Sequence, residues 1–480
     1  MSLTSFEPAL ALSRFGLGSG PDGAAALGDA HALLLSEISD GAPVITGLPA
    51  TPELLAQAHT YQMEKQTARK AANQAAEAAK TGMADTNIMA PSPLPQRPGK
   101  DDNPIRANLI AEIDARFGGT VKSPAIGFNE RMVQFWANHF AVSTKKNQLV
   151  AITTGAFERE AIRPHVFGRF SDMLLAVETH PTMLLYLDNS QSVGPNSRAA
   201  NYRPKAGKAK GGKRGLNENL GREIMELHTL GVGSGYTQTD VTTFAKILTG
   251  WSVARDHERD ATPGTFVFRA AAHEPGAQTL MGKTYAQNGV AQGRAALLDL
   301  AHHPATAHHI ALKLASHFVA DDPPPALVAR LRDTYLASDG DLAEVSRALI
   351  SAPESWSPQL VKMRAPLGYM CALIRATGFT PKPQAILAAF NAMGQPLWQP
   401  AGPNGFPDTV AAWASPEGLA TRMDVASVFA AHLPRADPRQ FAHTLFGDRL
   451  SPATMQAVAR AETHTQGLAI VFLSPEFMRC

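Results

Sequence analysis

The sequence predicts a mainly α-helical fold: one large multi-helix body with a peripheral helical arm and one small β-hairpin. Three observations carry this. Apolar residues recur at helical spacing along most of the chain. Helix-start signals repeat, as in Ser351-Ala-Pro-Glu354, Ser415-Pro-Glu417 and Ser474-Pro-Glu476, where serine can cap, proline suits the first turn and glutamate meets the positive end of the helix dipole. Strand-like alternation is confined to TFVFRA (265–270) and TLMGKTY (279–285), which are expected to pair with each other.

The bulk numbers agree with a packed body. The chain has 480 residues, 44% of them apolar, which is enough for a substantial core. A net charge of +2 is too mild to argue for nucleic acid or an anionic membrane. Two cysteines, Cys371 and Cys480, supply neither a disulfide framework nor a thiolate metal site. The N-terminus lacks a basic, apolar export signal, so a cytoplasmic location is expected. No run approaches the length of a membrane-spanning helix.

In chain order, 51–83 reads as the helical arm, rich in helix formers with a thin apolar stripe. Residues 84–104 read as a proline-rich linker, and 193–215 as a flexible basic loop whose Lys205, Lys208, Lys210, Lys213 and Arg214 suit a lid or an anion contact. In 129–140, Met132, Phe135, Trp136 and His139 fall on one helical face. Residues 360–480 form a C-terminal helical lobe. On 302–318, His309, Lys313 and His317 share a face, read as a histidine-bearing surface.

The stretch NENLGREIMELHTLGVGSGYTQTD (217–240) is the densest in chemistry. Asn217 is a plausible cap, Gly231 a stop, and Thr237 to Asp240 a capping box with aspartate in the usual glutamate place. Leu216, Leu220, Ile224 and Leu227 make an apolar face, with Glu223 at its edge and His228 at the opposite edge. Partial burial would raise the Glu223 pKa, and Arg222 would oppose that rise. Two readings stand: an Arg–Glu ladder on a packed helix, or an acid–base site with Glu223 and Glu226 dividing the roles. The second helix carries only Lys246 as a base, so nucleic-acid binding is not expected.

ENLGREIMELHTLGVGSGYTQTDVTTFAKILTGW (218–251) resembles the central signature of the bacterial domain-of-unknown-function family number 1800. ALSRFGLG (11–18), RMVQFWANHFAVS (131–143), PTMLLYLDNSQS (181–192), HEPGAQTLMG (273–282) and the closing LSPEFMRC fit the same family. The resemblance implies a large, mainly helical bacterial protein. It also implies a neighbouring family number 1501 protein, sulfatase- or phosphatase-like, as a partner, and a periplasmic location if the two are exported together. Gly221 departs from the family pattern, which favours a better helix former there.

The expected function is a hydrolase or transferase using carboxylate and histidine chemistry on a polar or anionic envelope or extracellular polymer. Its catalytic residues would be Glu223, Glu226, Arg222, His228 and Asp188. Asn138, Asn219, Tyr236 and Trp251 would bind substrate. His139, His228 and His273, if the fold joins them, would suit a divalent metal such as Zn or Mn. The alternative is a non-enzymatic scaffold or escort for the sulfatase- or phosphatase-like partner.

Overall fold

The computed structural model describes residues 7–80, 103–122, 125–202, 215–256, 258 and 260–480. It is 61% helical. Two separate hydrophobic cores organise it. The larger collects Phe15, Trp136, Phe170, Ile224, Phe244, Leu314 and Tyr335. The smaller collects Tyr369, Phe390, Phe429 and Phe472 from the C-terminal helices, with Leu17, Ile113 and Phe117 inserted from the N-terminal third.

The Phe128–His139 helix lies at the centre of the larger core. Its buried Trp136 stacks with Phe140 and meets His139 edge-on, at centroid distances of 5.9 and 5.2 Å. Its N-terminus is held from outside the helix. The Glu37 carboxylate accepts the backbone N–H groups of Ile126, Gly127 and Phe128, placing a negative charge on donors that the helix itself leaves unpaired. Arg14, wholly buried, donates to the carbonyls of Ser355, Ser357 and Gln359 and ties the first helix to the loop that leads into the C-terminal half.

The arm is the Thr51–Lys80 helix. Leu54 and Ala58 pack against Ile152 and Ala156, while most later residues stay exposed. The 84–104 linker lies almost wholly outside the described residues, as does the 203–214 lysine tract. The near stem of that loop is pinned: Val193, Gly194 and Ala199 donate to the carbonyls of Gly215, Ala272 and Ala271.

The single hairpin expected from 265–270 and 279–285 is replaced by two separate antiparallel ribbons. Phe266–Phe268 pairs with Trp251–Val253, and Gln278–Leu280 turns back on Lys283–Tyr285. Met281 and Gly282, both at positive φ, make the tight turn that lets 278–285 pair with itself. Ser415 and Ser474 cap their helices as expected. Ser351 does not: it is the last residue of the preceding helix, and Ala352 occupies the cap position of the short turn that follows. None of the described helices is long and apolar enough to cross a membrane.

Candidate functional site

Between the two cores lies a cavity of about 110 Å³. One wall is the Phe128–His139 helix and the loop after it, through Arg131, Gln134, Asn138 and Val142. The other is the 362–368 stretch with the 395–408 segment. That segment is stitched across the gap. Asn138 exchanges two hydrogen bonds with the Phe406 backbone, at 2.8 and 2.9 Å, and Thr144 and Ser143 donate to the carbonyls of Trp398 and Pro400. Gly405 has φ +75°, and a Cβ there would fall 2.4 Å from the Asn138 carbonyl oxygen, so only glycine fits.

The charged residues around this cavity are deep. Arg116 and Glu158 each sit in a π-helical turn, Ala115–Thr120 and Glu158–Ile162, and pair with one another. Such turns are frequent at functional sites, because widening the helix re-aims a side chain. Lys362 reaches Asp321 at 2.7 Å and the Asp408 carbonyl at 2.5 Å. Arg364 donates through Nε to the Phe477 carbonyl, while its buried Nη1 has no partner.

His317 and Asp408 form a hydrogen-bonded dyad, Nδ1 to Oδ2 at 2.6 Å. Arg131 Nη2 lies 3.1 Å from His317 Nε2. A guanidinium can only donate, so Nε2 accepts and the ring proton sits on Nδ1, facing the carboxylate. Burial pushes the His317 pKa down, and Asp408 partly restores it. The Asp408 carboxyl is held far below the usual range by His317 and Lys362, although burial alone would raise it.

The Pro304–Phe318 helix turns its His309–Lys313–His317 face partly inward: all three are half-buried rather than fully exposed. His309 donates to the Thr229 carbonyl at 2.7 Å, and burial holds its pKa down at about 4. Lys313 is pushed down by burial to about 8, against the pull of Asp408.

Of the residues expected from sequence to bind substrate or react, Asn138 alone lines this cavity. The 217–240 stretch builds a different cluster. Its helix begins one residue later than a cap at Asn217 implies: Glu218 takes that position and helical residues run Asn219–Glu223, followed by a π-helical turn at Ile224–His228. Asn219 is exposed, and its N–H is taken by the Asn217 side chain. Gly221 permits close helix packing, since a Cβ there would sit 3.1 Å from the Ala245 nitrogen. The Thr237–Asp240 capping box is present.

Glu223 is half-buried, and its pKa is raised, by burial first and then by Glu226, with His228 and Arg222 opposing. Arg222 contributes least, because its guanidinium goes to Glu218 and Gln238. Burial raises the pKa values of Tyr236 and Tyr186, and both glutamates add to the rise at Tyr236 while Glu223 adds to it at Tyr186. His228 is wholly buried with Nδ1 2.7 Å from Glu178, also wholly buried. Asp188 sits at φ +58° and pairs with Lys146.

The histidine constellation does not assemble as a metal site. His139 and His228 approach, with ring centroids 6.2 Å apart, but His139 Nε2 donates to the His228 carbonyl. His273 donates to the Thr249 carbonyl and packs on Phe268. Among the described residues no three His, Cys, Asp or Glu side chains converge to hold a metal ion. Trp251 is wholly buried, edge-on to Phe266 and against Gly293, so it serves the core.

The comparisons with known proteins bear on the chain as a whole. A family model described as a protein of unknown function, DUF1800, matches residues 11–479. The chain belongs to that family. No curated protein and no solved structure matches it. For this DUF1800 chain the cavity is thus read from its own chemistry. The sequence signals that could have found it were weak: basic residues in RMVQFW and VKMRAP, and the last histidine of the 302–318 run.

Proposed function

We propose that this protein is an enzyme of hydrolase or transferase type, acting on a polar or anionic substrate in the cavity between the two cores. The observation that supports this most is the Asp408–His317–Arg131 array. A half-buried carboxylate orients a neutral imidazole on the cavity wall, whose other nitrogen is held by Arg131. That is the arrangement a general base needs, since the carboxylate fixes the tautomer and stabilises the imidazolium that forms on proton uptake. Asn138 and Gln134 offer neutral hydrogen-bonding groups in the same space. An envelope or extracellular polymer remains the proposed source of the substrate. The small cavity would take one end group of such a chain.

The test is turnover of chromogenic acetyl, phosphoryl and sulfuryl esters by the full chain, beside His317→Asn and Glu223→Gln. Loss confined to His317→Asn supports the dyad. Turnover unchanged in His317→Asn and lost in Glu223→Gln would move the chemistry to the 217–240 cluster.

A second reading, a scaffold or escort for a sulfatase- or phosphatase-like family number 1501 partner, is favoured by the arm, whose outer face carries Met63 at 56% exposure. Co-purification with that partner, and no turnover of any ester by the wild-type chain, would support it.

A further inference from the structure

We infer that the cavity between the two cores is a binding site for a tetrahedral dianion, a phosphate or phosphate-monoester group. This deepens the proposed function by naming its substrate class. The cavity is lined by four permanent cations, Arg116, Arg131, Lys362 and Arg364, against two carboxylates, Glu158 and Asp408. With Asp321 on Lys362 and the negative group of Cys480 beside Arg364 also counted, the positive excess is small and local.

The pairing shows where that excess lies. Arg116 is matched by Glu158, and Lys362 is shared by Asp321 and Asp408. Arg131 and Arg364 form no ion pair among the described residues. Arg131 has only the Gly16 carbonyl, His317 Nε2 and the face of Phe318. Arg364 is 4% exposed and has an unpartnered Nη1. The two are near enough to repel one another, and the negative group acting most on Arg364 is Cys480, also on the cavity wall.

Two buried guanidinium groups of like charge with no carboxylate in direct contact are costly unless an anion joins them. Guanidinium forks match the oxygens of a phosphoryl group in pairs. The space available, about 110 Å³, is well above the ~10–15 Å³ that one water needs and admits a phosphoryl group. A dianion that engages Arg131 would also draw Nη2 away from His317 and uncover Nε2 as the base.

Isothermal titration of the full chain with inorganic phosphate, and separately with phenyl phosphate, tests the site. Saturable binding at one equivalent is expected, weakened about tenfold or more in Arg364→Gln and Arg131→Gln. Arg364→Lys, which keeps the charge, should lose less. Circular dichroism of each variant excludes unfolding as the cause. Binding of inorganic phosphate alone would mark a free-ion site, and of both ligands an ester site. His317→Asn should still bind phosphate while losing turnover. Failure of the dyad therefore shows in turnover, and failure of the anion site in binding. A flat titration of the wild-type chain, or affinity unchanged in both glutamine variants, overturns the inference.

Discussion

His317 stands between Asp408 at 2.6 Å and Arg131 at 3.1 Å, so both of its ring nitrogens are assigned by its neighbours. The pair joins distant parts of the chain: His317 ends a long helix of the larger body, and Asp408 arrives on the segment that crosses from the smaller one. Removing either partner should therefore change both chemistry and stability.

Asp408→Asn should lower stability by about 1–2 kcal/mol at neutral pH. This is less than for a sealed ion pair, because the Asp408 side chain keeps 40% of its surface accessible. The folded-state pKa lies below the unfolded one, so the contribution is present above pH ~4 and fades as pH falls further. Urea midpoints of both proteins at pH 7 and pH 3 check it: the gap should narrow at pH 3.

His309 gives the protein an acid weakness. Its folded pKa of about 4 lies below the ordinary 6.5, so between these values the unfolded chain takes up a proton that the folded chain refuses. Stability should then fall as pH drops from 6.5 to 4. His309→Gln should flatten that slope, measured as melting temperature against pH. An unchanged slope would count against burial as the cause.

Lys313 gives an effect of the same sign at higher pH. Held at about 8, it is charged and partly buried at pH 7. Lys313→Met should raise the melting temperature at pH 7, and the gain should shrink as pH rises from 8 to 10.5. A gain independent of pH would point to packing instead.

Glu223→Gln should stabilise slightly at pH 7 and not at pH 4. The raised carboxyl pKa means that the charged form is the disfavoured one, so wild-type stability is lost as pH rises through the folded pKa. Thermal melts at the two pH values decide this. A mutant less stable at pH 7 would show a hydrogen bond that outweighs the desolvation.

Gly221→Ala sets helix propensity against packing. Alanine should gain ~1 kcal/mol as a helix former. Its Cβ, however, would press on the Ala245 backbone at 3.1 Å, and overpacking costs roughly 1–3 kcal/mol. A net loss of about 1 kcal/mol is expected in chemical denaturation. A net gain would show that the helix crossing can open.

Much of the fold could be read locally. The Thr237 box, the Ser415 and Ser474 caps and the Met132–His139 face depend on residues three or four apart, and the structure shows each of them. The ribbons were misread because 265–270 found its partner upstream at 251–253, where no alternation marks a strand. The site was less legible still. The 217–240 stretch is conspicuous in sequence because its charged residues are close together there. Arg131, His317, Arg364 and Asp408 are each unremarkable where they stand in the chain.

The helical class, the family and a few helix starts were legible in the sequence, because those rest on periodicity, capping and long ordered motifs. Tertiary packing was needed to show that His309, Lys313 and His317 turn partly inward, that His139, His228 and His273 form no three-ligand cluster, and that Arg131 and Arg364 share one cavity. The physical reason is range. Helix formation is settled within a few residues, whereas burial and charge pairing depend on which surfaces meet. Here they depend on a segment that crosses from the second core to close a cavity on the first.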